Sequence, residues 1–152
     1  MIIDTDILFS HIKDEDWLKE DAETILRQVA AGRFGEVQVS REAIHELYYL
    51  LARTGHPPAD ILSKVGALTR IANLSWAPTT TDHDLLALSL VTTYGLSSIF
   101  DSYHAATCLL EDPEHKLIST DDAYDRIPRI TRIDPRKLAA QIREEESRKA
   151  KR

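Results

Sequence analysis

Short apolar runs alternate along this chain with longer segments of helical periodicity, and the alternation leaves few folds open. Five apolar runs predict strands, at residues 1–3, 37–39, 74–76, 116–119 and 130–133. Between them, apolar residues recur every three or four positions and predict helices at residues 17–31, 41–53, 59–72, 84–94 and 97–110. Strands that alternate with helices favour parallel pairing, because each helix carries the chain back across the sheet. We therefore predict an α/β sandwich with a mainly parallel central sheet.

Length and composition limit the class of protein. The chain has 152 residues, of which 43% are hydrophobic and 29% charged, values typical of one folded domain. No apolar stretch approaches the ~20 residues that a membrane-spanning helix needs. Cys108 is the only cysteine, which excludes an internal disulfide and a cysteine-based zinc cluster. Residues 1–4 carry neither a basic nor an apolar signal segment, so we expect a cytoplasmic protein that does not enter a membrane.

Charge is distributed unevenly between the body of the chain and its C-terminal end. The formal net charge of −6, from 25 acids and 19 bases, argues against a protein that coats nucleic acid by charge alone. Residues 136–152 contain seven bases and three acids, a net charge of +4, which leaves −10 for residues 1–135. We therefore divide the chain into a domain at 1–135 and a charged C-terminal helix or tail at 136–152.

Two acids follow two of the predicted strands. Asp4 ends the first apolar run, and Asp121 comes shortly after the run at 116–119. In open α/β sheets ligands bind at the carboxyl ends of the strands, so carboxylates placed there by separate strands can converge. Each acid alone could equally cap a turn or the helix that follows it. Both together, each with a Ser or Thr nearby, favour a shared site.

Two further acids lie at the edges of apolar helix faces. Glu46 shares a helix edge with Ala43 and Leu50, and Asp101 is placed in the same way on a later helix. A carboxylate at the margin of a core face is costly unless it is paired, exposed in a cleft or bound to a metal. Pairing with a nearby arginine remains the simpler alternative for each acid taken singly.

Four carboxylates in one cleft would repel one another strongly. Two unit charges 4 Å apart cost about 4 kcal/mol at an effective dielectric constant of about 20. A divalent cation would remove this repulsion, and an all-oxygen ligand set suits Mg²⁺ or Mn²⁺ better than zinc. Such a site can lower the pKa of a bound water and stabilise displacement at a phosphate. The acids therefore favour metal-assisted phosphodiester chemistry.

Four short motifs occur in a characteristic order. They are Ile3-Asp4-Thr5, Ser40 followed by Glu46-Leu47, Asp101 followed by Ala105-Ala106, and Leu117-Ile-Ser-Thr-Asp121. Together they resemble the PIN-domain ribonucleases, and within these the VapC-type toxins of toxin–antitoxin pairs. The resemblance extends over about residues 1–133. It implies a three-layer α/β/α sandwich with a parallel sheet, and a Mg²⁺- or Mn²⁺-dependent endoribonuclease.

The resemblance also implies which acids carry the chemistry. Asp4, Glu46, Asp101 and Asp121 match the acidic quartet of the family by position. On this basis Asp4, Asp101 and Asp121 are expected to ligate the metal. Glu46 is expected to ligate it as well or to orient the attacking water.

Several neighbours of the quartet are expected to support it. Thr5 matches the small polar residue beside the first acid, and Ser119 matches the Ser or Thr two positions before the last. Asp6 is an additional acid at a position where VapC-type toxins usually have Asn or another small residue. Asp122 is a second acid whose role could be that of a ligand, a supporting partner or a helix cap. Tyr124 stands where the family often has Phe.

Partners follow from the resemblance as well. It implies RNA as substrate, a protein antitoxin that blocks the cleft, and a homodimer, with the apolar helices at 59–72 and 84–94 as candidate contact surfaces. Tyr48 and Tyr49 are interpreted as core or interface residues, because only a position in the cleft would favour base stacking. His104 is expected to be an ordinary solvated or hydrogen-bonded histidine.

Two alternatives remain open. Asp4-Thr5-Asp6 after an apolar strand also resembles the start of haloacid-dehalogenase-like phosphatases, in which the first Asp is the nucleophile, although Ile7-Leu8 replaces the usual Gly-Thr. The other alternative is a catalytically inert PIN module that binds RNA or protein, although a pure scaffold has no need of four such acids. Turnover of a phosphomonoester would support the first alternative, and RNA binding without cleavage would support the second.

Overall fold

The structure is a computed structural model that describes residues 1–151. Its strands are β1 (Ile2–Ile3), β2 (Val37–Ser40), β3 (Leu74–Ala77), β4 (Lys116–Ile118) and β5 (Thr131–Ile133). Its α-helices are α1 (Thr5–Ile12), α2 (Lys19–Ala30), α3 (Ala43–Arg53), α4 (Pro58–Leu68), α5 (Thr81–Tyr94), α6 (Ile99–Glu111) and α7 (Pro135–Ala150). A 3₁₀ helix (Asp122–Arg126) follows β4.

The five strands form one parallel sheet in the order β3-β2-β1-β4-β5. From β1 the chain builds outward to β2 and β3, and it then returns to place β4 on the other side of β1. In the register Ile2 lies opposite Leu117, and Ile3 lies opposite Ile118. The reversal between β1 and β4 opens a crevice at their carboxyl ends, the usual ligand site of such sheets. The predicted α/β sandwich with a parallel sheet is confirmed.

Two hydrophobic clusters cover the two faces of the sheet. Ile2 and Leu117 pack into one cluster with residues of α5, α6 and the 3₁₀ helix. Ile3 and Ile118 pack into the other with residues of α1 to α4 and α7. Neighbouring residues of a strand point to opposite faces, so each short strand contributes to both clusters. The molecule therefore has three layers, with the sheet in the middle.

The C-terminal helix α7 packs against α2. Ala139 and Ile142 are fully buried in the same cluster as Val29 of α2. At the edge of this contact, Arg143 Nη2 donates a hydrogen bond to Asp21 Oδ1 over 2.7 Å. The basic segment thus has an apolar stripe that covers one side of the domain.

Within residues 1–151 no single helix is long and apolar enough to cross a membrane. Only α5 and α6 taken together, which are bent by 115° relative to each other, have sufficient length and apolar character. In the structure both helices contribute buried residues to the cluster on one face of the sheet.

Candidate active site

Asp4 lies where β1 ends and α1 begins, and only 5% of its surface is exposed. Its Oδ1 accepts a hydrogen bond from the Thr5 amide over 2.7 Å and thereby caps α1. Its Oδ2 accepts a hydrogen bond from the Ser119 hydroxyl over 2.6 Å. Burial raises the pKa of Asp4, although His104 and Ser119 act in the opposite direction. Asp4 is therefore a fixed, buried carboxylate between β1 and β4.

Ser119 joins the segments that follow β1 and β4. Its hydroxyl donates to Asp4 and also accepts a hydrogen bond from the Asp121 amide over 3.0 Å. Asp121 in turn caps the 3₁₀ helix, because its Oδ1 accepts a hydrogen bond from the Ala123 amide over 2.9 Å. The capping role that the sequence allowed for Asp121 is therefore present, and the same contacts hold Asp121 next to Asp4.

Glu46 and His104 form a buried ion pair beside Asp4. His104, on α6, is fully buried, and its Nε2 donates to Glu46 Oε2 of α3 over 2.8 Å. The same nitrogen lies 3.0 Å from Thr5 Oγ1 and 3.4 Å from Asp4 Oδ1. Burial disfavours a charge on His104, but Asp4 and Glu46 outweigh it and raise the pKa of the imidazole to about 9. Burial raises the pKa of Glu46, but the hydrogen bond and charge of His104 lower it overall.

Asp101 faces the same acidic cluster from the first turn of α6. The Ser98 hydroxyl accepts a hydrogen bond from the Phe100 amide over 3.1 Å, which starts α6 three residues before Asp101. Burial and the charge of Asp4 raise the pKa of Asp101 to about 7, and Glu46 and Asp121 contribute in the same direction. These contributions indicate that Asp101 belongs to the same group of acids.

Asp6 and Asp122 have different surroundings. Asp6 Oδ2 accepts hydrogen bonds from the amide and the hydroxyl of Thr120, over 2.8 Å and 2.5 Å, and so ties α1 to the loop after β4. Burial and the charge of Asp4 raise the pKa of Asp6 to about 7. Asp122 is exposed in the first turn of the 3₁₀ helix, where its charge acts on Arg132. Asp6 thus braces the site, whereas Asp122 faces solvent.

The donor atoms present fit a divalent cation. Single ligand atoms of Asp4, Glu46 and His104 lie within 4.8 Å of one another. In the metal-free protein the raised pKa of His104 favours the protonated imidazole, whose Nε2 is bonded to Glu46, so we take the carboxylates as the first candidate ligands. The carboxylates of Asp4 and Asp101 have raised pKa values, which a nearby cation would lower. The set therefore offers oxygen ligands, as Mg²⁺ and Mn²⁺ prefer.

Tyr124 and His104 border the acids, although the sequence interpretation assigned neither of them a role in the site. Tyr124 is fully buried, and its hydroxyl has no hydrogen-bond partner among residues 1–151. Burial and the charges of Asp4 and Asp101 raise its pKa well above the usual value, which indicates that the ring borders the acids. For His104 the available signal was its position three residues after Asp101 on one helix, which puts both on one side.

The chain matches the family model described as the PIN domain over residues 1–130. No curated protein matches the chain.

Several solved structures are similar to the chain. A structure of VapBC2 from Rickettsia felis bound to a promoter DNA fragment has a TM-score of 0.66 and 16% identity, covering 87% of this chain and 96% of that one. A toxin–antitoxin complex from Klebsiella pneumoniae has a TM-score of 0.62 and 18% identity, covering 88% and 96%. Mycobacterium tuberculosis VapC20, a sarcin-ricin loop cleaving toxin, has a TM-score of 0.61 and 16% identity, covering 82% and 92%. At 16–18% identity, these structures show only that the fold is similar.

Proposed function

Because the chain belongs to the PIN domain family, we propose that it is a metal-dependent endoribonuclease and the toxin of a toxin–antitoxin pair. The observation that carries the proposal is the close approach of Asp4, Glu46 and His104 beside the carboxyl end of β1, together with the effect that the charge of Asp4 has on Asp101. Proteins of similar fold include a sarcin-ricin loop cleaving toxin and toxin–antitoxin complexes, which supports both parts of the proposal. An enzyme of this kind would work in the cytoplasm.

Asp4, Asp101 and Asp121 are the residues that we assign as metal ligands, with Glu46 as a further ligand or as the group that orients water. A bound Mg²⁺ or Mn²⁺ would supply a water of lowered pKa and stabilise negative charge on the phosphate. On this proposal, the chain's own contribution is to hold these carboxylates near one another before substrate arrives.

Buried partners hold these carboxylates. The Ser119 hydroxyl fixes one oxygen of Asp4, and the Thr5 amide fixes the other. His104 keeps a proton on Nε2 and orients Glu46 through it. A side chain that is held by packing and by hydrogen bonds loses little freedom when it binds a ligand, so the site is preorganised.

The two alternatives have less support. The match to the PIN family argues against a haloacid-dehalogenase-like phosphatase. Both oxygens of Asp4 accept hydrogen bonds, which suits an anchored ligand better than an attacking nucleophile. A PIN module that only binds RNA or protein would not require the ion pair between Glu46 and the fully buried His104, since burying a charge is costly.

Cleavage of end-labelled RNA in Mg²⁺, in Mn²⁺ and in EDTA tests the proposal. We expect the wild type to cut in either metal and not in EDTA. Asp101→Asn should lower the rate at least about a hundredfold, because loss of a metal ligand removes several kcal/mol of charge stabilisation. Asp82→Asn, the same change at an exposed acid on α5, is the matched control and should cleave like the wild type.

Cleavage by Asp101→Asn at the wild-type rate would contradict the assignment of the site. A folded wild type that binds RNA tightly but never cuts it would instead favour the inert module.

A protein antitoxin is the partner that we propose for this chain. Exposed leucines on two surface helices, Leu62 of α4 on one face of the sheet and Leu85 and Leu88 of α5 on the other, offer apolar area that a partner can cover. Co-expression with the product of an adjacent small reading frame should yield a stable complex that does not cut RNA. Undiminished cleavage by that complex would remove the toxin–antitoxin part of the proposal and leave the nuclease part intact.

A further inference from the structure

Three aromatic rings form a cluster at the border of the acidic site. Tyr48 and Tyr49 of α3 are 48% and 58% exposed. The ring centroids of Tyr49 and Phe100 are 6.1 Å apart, and those of Tyr48 and Tyr49 are 5.9 Å apart. We call the pair Tyr49 and Phe100, with Tyr48 at its outer edge, the aromatic platform.

The aromatic platform is continuous with the acidic site. Tyr49 lies three residues after Glu46 on α3, which puts both on one side of that helix. Phe100 directly precedes Asp101 in the first turn of α6. A pocket of about 420 Å³ is lined by Glu46, Tyr49 and Phe100 together. The two rings and Glu46 of the acidic site therefore border one continuous pocket.

Arg53 adds a positive charge to the same pocket. It is exposed in the last turn of α3 and lines the pocket at the end of the helix away from the acids. Arginine binds phosphate through several hydrogen bonds, and its presence here contrasts with the surplus of acids in residues 1–135. The pocket thus combines flat apolar rings with one cation, next to carboxylates that hold the reaction centre.

On the basis of the proposed function, we propose that the aromatic platform is a nucleotide subsite. A base of single-stranded RNA next to the scissile phosphate stacks on the exposed ring of Tyr49, against which Phe100 packs at an interplanar angle of 50°, and Arg53 binds the adjoining phosphate. Aromatic side chains stack on every base, so such a subsite holds the strand without reading its sequence.

A second protein chain fits this surface less well than RNA does. The exposed aliphatic residues that suit a protein contact, Leu62, Leu85 and Leu88, lie on α4 and α5. The aromatic platform instead combines rings and a guanidinium, the pair of groups that binds bases and phosphates of single strands. It also shares Glu46 with the acidic site, so an occupant of the platform is already positioned for cleavage.

The test measures RNA binding without cleavage. The RNA is an oligonucleotide whose cut site has been mapped with the wild type, and 2-aminopurine replaces in turn the bases on either side of the cut bond. When the Asp101→Asn protein binds this RNA in Mg²⁺, we expect the 2-aminopurine fluorescence to be quenched at only one of the two positions. Tyr49→Leu and Phe100→Leu should each abolish the quenching and weaken binding roughly tenfold.

Two further variants serve as matched controls. Tyr49→Phe keeps an aromatic face and should retain both quenching and affinity, whereas Tyr49→Leu keeps only apolar area. Trp17→Leu makes the same kind of change at an aromatic residue that is 70% exposed near the start of α2 and should have no effect.

The outcomes separate the subsite from the proposed function. If the wild type cleaves RNA but Tyr49→Leu binds and quenches like Tyr49→Phe, the subsite is wrong and the nuclease stands. If Tyr49→Leu changes only the sedimentation of the protein or its complex with a partner, the aromatic platform is a protein contact and the subsite is again wrong. A wild type that neither binds nor cleaves RNA would overturn the proposed function and the subsite together.

Discussion

His104 is fully buried beside the carboxylates of Asp4 and Glu46. Its charge offsets part of the repulsion among the acids, which explains how Glu46 keeps a lowered pKa in a half-buried position. The compensation is incomplete, because the pKa values of Asp4 and Asp101 remain raised. The single positive charge of His104 therefore does not neutralise the acids, and a bound metal ion would supply the positive charge that is still missing.

Tyr124→Phe tests whether the buried Tyr124 hydroxyl lacks a hydrogen-bond partner in solution. A buried hydroxyl without a partner loses its hydration and gains nothing in return, so its removal should raise the free energy of unfolding by about 1 kcal/mol. Tyr103→Phe removes the same atom where the hydroxyl donates to Asp84 Oδ1 over 2.6 Å, and should lower that free energy by about 1 kcal/mol. Urea unfolding in EDTA measures both. An equal loss of unfolding free energy in the two variants would show that the Tyr124 hydroxyl forms a hydrogen bond in solution.

The sequence predicted those site residues whose positions follow from their neighbours along the chain, and it missed those whose roles depend on distant residues. Asp4 and Asp121 follow apolar runs directly, so their place at the sheet edge could be inferred from neighbours in sequence. The role of His104 depends on Glu46, which is 58 positions away. An isolated histidine has no local pattern that separates a buried ion pair from a solvated side chain, so its part in the site needed the fold.

At the scale of elements, the apolar period located the strands and most helices, but it extended one helix well past its end. Helix α4 ends at Leu68, although the period continues to Ile71 and predicted a helix to residue 72. The backbone turns between these points, since the Ile71 amide bonds to the Leu68 carbonyl and Asn73 adopts a φ of 60°. Ile71 still packs against the core from that turn. Apolar residues every three or four positions therefore indicate which side chains are buried, and a buried side chain need not lie in a helix.

Helix α7 supports the domain even though its sequence is strongly charged. Ile142 is fully buried against the core, so Ile142→Ala should lower the free energy of unfolding by about 2–4 kcal/mol. Arg148→Ala, at an exposed position of the same helix, should change it by less than about 0.5 kcal/mol. Chemical denaturation of both variants measures the difference. If Ile142→Ala is as stable as the wild type, α7 does not pack against the domain in solution.

At the scale of the whole molecule, the order of the strands is what creates the site. Sequence alternation predicted parallel strands, but it does not record that β4 returns to the other side of β1. That return brings Ser119 against Asp4 across a separation of 115 residues. The cleft was therefore predictable as an edge of the sheet, whereas its exact position depended on non-local pairing.

Gathering titratable groups at this edge makes the stability of the metal-free protein depend on pH. Asp6 and Asp101 have pKa values near 7 against an ordinary 3.8, so the folded state holds protons that the unfolded state has lost between about pH 4 and 7. His104 has a pKa near 9 against 6.5, so between about pH 6.5 and 9 the folded state retains a proton that the unfolded state has lost. Whenever the folded state binds more protons, stability falls as pH rises. All three groups therefore act in the same direction.

We expect the melting temperature in EDTA to fall by roughly 5 °C or more between pH 5.5 and pH 9. Starting at pH 5.5 avoids the acidic range in which carboxylates of lowered pKa, such as Asp112 and Asp134, would act oppositely. Mg²⁺ should reduce this fall and stabilise most at high pH, because it binds only deprotonated carboxylates. Asp101→Asn removes one titrating group and should flatten the curve below pH 7, whereas Asp82→Asn should leave it unchanged. A melting temperature in EDTA that stays constant or rises with pH would show that the acids do not meet in one cleft.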